Sequence, residues 1–163
     1  MMRQADFERL YAEHAQPLYG FLAYRTGDSA LAEDLLADTF ERALRARARF
    51  DRRKASEKTW LYAIALNLLR DNVRRRTTEA RALERIPHEA AAAPDELTGV
   101  EHRDEIQRAL GALSDEEREA IALRFGGDLT VPEIAKVLKQ PLPRIEGRVY
   151  RSLRKLRDEL GPT

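Results

Sequence analysis

Between Ser114 and Leu160 the chain is punctuated so closely that only short helices fit. Ser114 with Glu117 forms one capping box, and Thr130 with Glu133 forms a second. Gly126-Gly127 breaks the chain between them. Pro141 and Pro143 restrict the next turn, and Pro143 suits the first position of a last helix. Ile121, Leu123 and Phe125 close the first helix, and Ile134, Ala135 and Leu138 line the second. In the third, Ile145, Val149, Leu153, Leu156 and Leu160 recur every three or four residues, the spacing of a core-facing stripe. A short supporting helix, a tight turn and a longer helix make a helix-turn-helix, whose second helix is built to enter a major groove.

Charge follows the same boundaries. Lys139 to Arg157 holds seven bases (Lys139, Arg144, Arg148, Arg151, Arg154, Lys155, Arg157) against one acid, Glu146. Glu101 to Leu138 reverses this, with nine acids and five bases. The whole chain carries only +1, so the positive field is local and suits a polyanion. Arg144, Glu146, Arg148, Arg151 and Lys155 are therefore candidates for reading duplex DNA. Arginine near the helix start can donate twice to guanine or hold a phosphate, and later cations position the backbone. The simpler alternative is that bases toward a helix C-terminus complement its dipole and solvate a face. Glu146 either accepts from cytosine, orients Arg144 or Tyr150, or faces solvent.

The first 78 residues read as a separate helical domain, with 15 bases and 11 acids. Phe7, Leu10, Tyr11, Leu18, Phe21 and Leu22 form an apolar stripe broken near Pro17, and Gly27 ends that unit. Asp28 caps a second helix, with Leu31, Leu35, Phe40 and Leu44 on one face. A third helix is predicted from about Thr59 to Arg75, with Asn67, Arg70, Asp71 and Arg74 on its polar face. Arginines frame Ser56, Lys58, Thr59 and Trp60, a setting able to receive unstacked bases, although Trp60 and Tyr62 also read as core. Glu33, Asp34 and Asp38 beside Leu35, Leu36 and Thr39 make a mixed surface fit for a protein partner, or simply an acidic helix start.

Residues 79–100, with five acids, two bases, Pro87, Pro94 and an alanine run, read as a linker with a helical start at Glu79 to Arg85. Residues 101–163 form the second domain. The fold class expected is therefore all-α, two small helical domains joined by a flexible linker.

Cysteine is absent, which excludes a disulfide scaffold, a thiolate zinc site and a cysteine nucleophile, and fits a cytoplasmic setting. No apolar run approaches the ~18 residues of a membrane span. His14, His88 and His102 lack metal-ligand spacing. No catalytic residue, metal site or cofactor is expected.

Together, "AEDLLADTFERAL" at 32–44, "TWLYAIALNLLRDNVRRR" at 59–76, "ALSDEEREAIALRF" at 112–125 and "LTVPEIAKVLKQPLPRIEGRVYRSLRKLRDEL" at 129–160 resemble the extracytoplasmic-function (ECF) group of sigma-70 family sigma factors. Both halves occur in the family's order, and the resemblance covers nearly the whole chain. It implies a promoter-recognition subunit of bacterial RNA polymerase. Asp34, Leu35, Asp38 and Thr39 would match the segment that docks on core polymerase. Phe50 to Thr59, with Lys58 near its end, would help open the −10 element, and Asn67, Arg70, Asp71 and Arg74 would meet its upstream part. Arg144, Arg148 and Arg151 would match the helix that reads the −35 element. A cognate anti-sigma protein, promoter DNA and a monomeric free state are further implications. Ala63 and Leu66 stand where the family often has bases, and Gly147 lies inside the recognition helix at a cost of roughly 1 kcal/mol in propensity. The rival reading is a stand-alone helix-turn-helix regulator, which would call for a homodimer on palindromic DNA.

Overall fold

The computed structural model describes residues 2–82, 105 and 108–161. The first half is three helices: α1 (Gln4–Thr26), α2 (Ser29–Ala46) and α3 (Glu57–Ala82). A 3-10 turn at Arg47–Arg49 joins α2 to the loop before α3. The second half contains α4 (Asp115–Ile121), a π-helical turn (Ala122–Gly126), α5 (Val131–Leu138) and α6 (Leu142–Leu160). Described residues outside helices are turns and extended links, so the all-α expectation holds.

Local chemistry sets most helix ends as expected. Gly27 closes α1 in the left-handed region at φ 68°, where a Cβ would be strained. The Asp28 carboxylate accepts from the Leu31 N–H at 3.1 Å and starts α2. Both capping boxes form: Ser114 with Glu117 opens α4, and Thr130 with Glu133 opens α5. Lys139 ends α5 at φ 57°, and Pro141 caps α6, so Pro143 occupies the second helical position rather than the first.

Three boundaries differ from expectation. α1 runs unbroken through Pro17. Leu18, Phe21 and Leu22 are completely buried just beyond it, and each such side chain contributes about 1.5–3 kcal/mol, enough together to offset the proline cost of about 3 kcal/mol. α3 starts at Glu57 and continues to Ala82, beyond the expected end at Arg75 and into the expected linker start. The rest of that start, residues 83–85, lies outside the described residues, as do His88 and His102.

The core stripe of α6 is also rotated. Ile145, Val149 and Ser152 are buried, while Leu153 is 38% and Leu160 49% exposed. The buried positions repeat at four and three residues, the helical period. Ser152 enters this stripe because its hydroxyl donates to the Arg148 carbonyl at 2.7 Å and leaves no polar hydrogen unpaired.

The apolar core is continuous. It includes Leu10, Phe21, Leu35, Phe40, Tyr62 and Leu69 from the first half and Leu123, Leu129, Ile134 and Ile145 from the second. Phe40 packs edge-on against Tyr11 at 4.7 Å and Phe7 at 6.2 Å, and Trp60 lies against buried Phe50 at 4.9 Å. Trp60 is thus a half-buried packing residue.

Candidate nucleic-acid interface

α6 presents its polar side to solvent from its first turn. Arg144, Glu146, Tyr150, Arg151, Arg154 and Lys155 are exposed. Arg144 leads this face, just after Pro141 has turned the chain. The Arg151 guanidinium lies over Gly147, because a Cβ built there would stand 2.9 Å from its Nη1. The glycine therefore makes room for a folded arginine, which can swing out at little cost.

Two members of the basic set brace the helix-turn-helix, Arg148 from within and Lys155 from the surface. Arg148, expected from the sequence to meet the groove, is only 8% exposed. Its Nη2 donates to Gln140 Oε1 at 3.0 Å and lies 3.5 Å from Glu116 Oε2, tying α6 to the turn and to α4. The Lys155 ammonium donates to Glu117 Oε1 at 2.7 Å while the rest of its side chain stays half exposed. Lys155 first, and then the Ser114 N–H, hold the Glu117 carboxyl below its ordinary value despite burial.

On α3, Asn67, Arg70, Asp71 and Arg74 are exposed and share one face. Their offsets of three, four and seven residues fit the helical period. Arg74 Nη2 lies 3.5 Å from Asp71 Oδ1, and Arg70 Nη2 lies 3.1 Å from Glu119 Oε1 in α4. Lys58 is not brought to this face. It precedes Asn67 by nine residues, about half a turn out of phase at 3.6 residues per turn. Its ammonium instead donates to Glu133 Oε1 at 3.2 Å and to the Asp128 carbonyl at 3.3 Å. Lys58 also borders a shallow hollow of about 350 Å³ with Arg9, His14, Arg52 and Ser56. Leu66, where a family cation was expected, is buried at 2% exposure.

The α2 candidates divide the same way. Asp34 and Asp38 are exposed, with no ion pair among the described residues. Leu35 and Thr39 are buried, and the Thr39 hydroxyl donates to the Leu35 carbonyl at 2.7 Å. These two lie beneath the acidic surface, where the sequence placed them among its contacts.

Sequence reasoning missed the junction between the halves. The buried Tyr62 hydroxyl donates to the Gly127 carbonyl at 3.1 Å, and burial first, with Asp128 and Glu133 adding to it, pushes this phenol well above its ordinary value. Gly20, Gly126 and Gly127 line the same seam. Glycine inside the predicted α1 was the available signal.

Among the described residues no group of three or more histidines, cysteines or carboxylates could hold a metal ion, and no helix is long and apolar enough to cross a membrane.

Comparison with known proteins places this geometry. Residues 10–79 match Sigma-70 region 2, and residues 109–158 match Sigma-70 region 4. The chain is 32% identical to the ECF RNA polymerase sigma factor BldN of Streptomyces coelicolor over 94% of its own length and 60% of that protein. It is also 32% identical to the ECF RNA polymerase sigma factor SigX of Bacillus subtilis, across 96% of this chain and 84% of that one. Its fold matches the sigma factor RpoE solved with the anti-sigma factor NepR from Bartonella quintana, with a TM-score of 0.81, 25% identity and coverage of 95% and 96%. With both regions present in order and relatives aligned along almost its entire length, the chain belongs to the ECF sigma factors of the sigma-70 family, the promoter-recognition subunits of RNA polymerase.

Proposed function

We propose that this sigma factor reads a promoter with two separate helical faces while its second helix is docked on core polymerase. Arg144, Glu146, Arg151 and Lys155 on α6 face the −35 element, with Arg148 and Glu117 holding that helix in place. Asn67, Arg70, Asp71 and Arg74 on α3 face the −10 element, and Asp34 and Asp38 on α2 meet the polymerase. The carrying observation is that the polar faces of α3 and α6 are both solvent-exposed, on the two halves that match regions 2 and 4. Major-groove edges supply sequence discrimination to α6, and cations along both helices supply salt-sensitive affinity.

No covalent chemistry is required of the chain. Its contribution is differential binding: tethering both faces to one polymerase raises the effective concentration for the second DNA contact. Residues 1–78 and 101–163 act as the two reading units, joined by 79–100. The free chain is a monomer of the cytoplasm, since two different DNA elements need no palindrome and no second copy. RpoE is held by an anti-sigma factor, and an anti-sigma protein covering α2 or the DNA faces is proposed here too.

The test is transcription in vitro with sigma-free core polymerase and a promoter library. Initiation from promoters sharing two conserved elements is expected. A homodimer that selects palindromic sites without polymerase would favour the stand-alone regulator, and core binding without any initiation would overturn the promoter-reading role.

A further inference from the structure

The solvent side of α6 has a glycine at its outermost point. At 3.6 residues per turn, and counting from buried Ile145, Gly147 lies about 200° round the helix and Arg154 about 180°, both away from the core. Tyr150 stands about 140° and Arg151 about 240° round, so they flank Gly147 on either side. Gly147 keeps ordinary helical backbone, since the glycines with positive φ among the described residues are Gly27 and Gly161. The three atoms nearest a Cβ built on it all belong to the Arg151 guanidinium, a flexible group that a side chain would push aside. Neither backbone conformation nor packing therefore requires glycine here. Inside a helix only proline is less favourable, so a glycine at this outward point has its reason outside the fold.

What the glycine leaves is an apolar seat. Its floor is the Gly147 Cα. One wall is Tyr150, which is 64% exposed, more than any other large apolar side chain among the described residues. Helical side chains lean toward the N-terminus and cover the preceding turn, so Tyr150 leans toward Gly147. The other wall is the stem of Arg151, whose guanidinium covers the glycine in the free chain and makes no ion pair among the described residues. The backbone amides of this turn are engaged within the helix, so the seat offers no donor or acceptor of its own. In the major groove the apolar group on a base edge is the 5-methyl of thymine.

We propose that Gly147 and Tyr150 are the thymine-reading position of α6: the 5-methyl of one thymine seats on the bare Gly147 backbone against the Tyr150 ring, and Arg151 swings off the glycine to a neighbouring phosphate. The proposal rests on the assignment of α6 to the −35 element. Any side chain at position 147 would hold the helix off the groove floor, so glycine gives up helix propensity for depth of entry. Tyr150 thereby becomes a specificity-determining residue, while Arg151 contributes affinity that does not depend on the base.

Replacing thymine by deoxyuridine removes only the 5-methyl, so the template itself tests the seat. Holoenzyme assembled from core polymerase and this chain first selects its −35 element from a promoter library, and each thymine of that element is then replaced singly. At one position the wild type should initiate about fourfold less well without the methyl, the factor for burying one such group. Gly147→Ala should melt at a higher temperature, because alanine favours the helix, yet initiate about fourfold or more less well from the thymine template. Its added methyl occupies the seat, so initiation should recover on the deoxyuridine template at that same position. A glycine with only a structural role would lose stability on substitution and show no such reciprocity. Tyr150→Phe should retain the methyl dependence and Tyr150→Ala should lose it, a test that stands even where Gly147→Ala disturbs the helix. A selected element without thymine, thymines all replaceable without loss, or a Gly147→Ala chain that responds to the replacement as the wild type does overturns the seat. If initiation still requires the −35 element in those cases, the seat alone falls, whereas initiation indifferent to that element removes the assignment of α6 beneath it.

Discussion

Arg148 and Arg151 lie three residues apart on α6 in opposite settings. Arg148 is enclosed by Gln140 and Glu116, while Arg151 folds over Gly147 at the surface. Arg148→Ala should therefore cost about 1.5–3 kcal/mol of stability, the range for a hydrogen bond to a charged group, with DNA binding lost only as the domain loosens. Arg151→Ala should leave stability within about 0.5 kcal/mol and weaken DNA binding directly. Denaturant melts paired with DNA titrations separate the two, and equal melts would remove the brace assigned to Arg148. Glu117 adds a pH dependence. Its folded carboxyl is held below the ordinary value, first by Lys155. Its stabilising contribution is therefore complete above the unfolded carboxylate pKa, about 4.3, and is lost as pH falls through the lower folded value. Glu117→Gln should flatten that acid limb in a melt followed against pH. The basic character of α6 was legible in the sequence, but the burial of Arg148 was not. Arginine has a long apolar stem and a charged tip, so composition alone cannot tell a brace from a reader.

At the scale of the helix, capping chemistry was the most legible signal. Asp28, Ser114 and Thr130 start their helices where local sequence placed them, because each side chain satisfies a backbone N–H that the helix leaves open. Tertiary packing decided what local rules could not. α1 continues through Pro17, and Leu153 turns outward while Ser152 turns in. On α2, alternation between exposed Asp34 and Asp38 and buried Leu35 and Thr39 turns a contact segment into an acidic surface over an apolar support. Asp38→Arg should leave the melting temperature nearly unchanged and weaken binding to core polymerase by about tenfold or more, as charge reversal at an interface does. Titration against core polymerase checks this, and undiminished affinity would move the docking surface off α2. Thr39→Val should show the reverse pattern, because it removes a hydroxyl paired inside the core and leaves the acidic surface intact.

At the scale of the molecule, the sequence divides cleanly where the charge balance and punctuation change, and both halves match the expected regions. Nothing in the residue pattern announced that the halves share one core. Gly20, Gly126 and Gly127 matter only once α1 and the π turn are side by side, and Lys58 turns toward Glu133 only in that arrangement. Two faces used at once on one promoter, as proposed, would also impose a distance between the elements they read. The measurement that tests this most directly is run-off transcription with core polymerase on templates differing only in the spacer between the two elements. Initiation should peak at one spacer length and fall steeply when base pairs are inserted or removed. Equal initiation at every spacer, or full activity with either element deleted, would contradict simultaneous reading by α3 and α6.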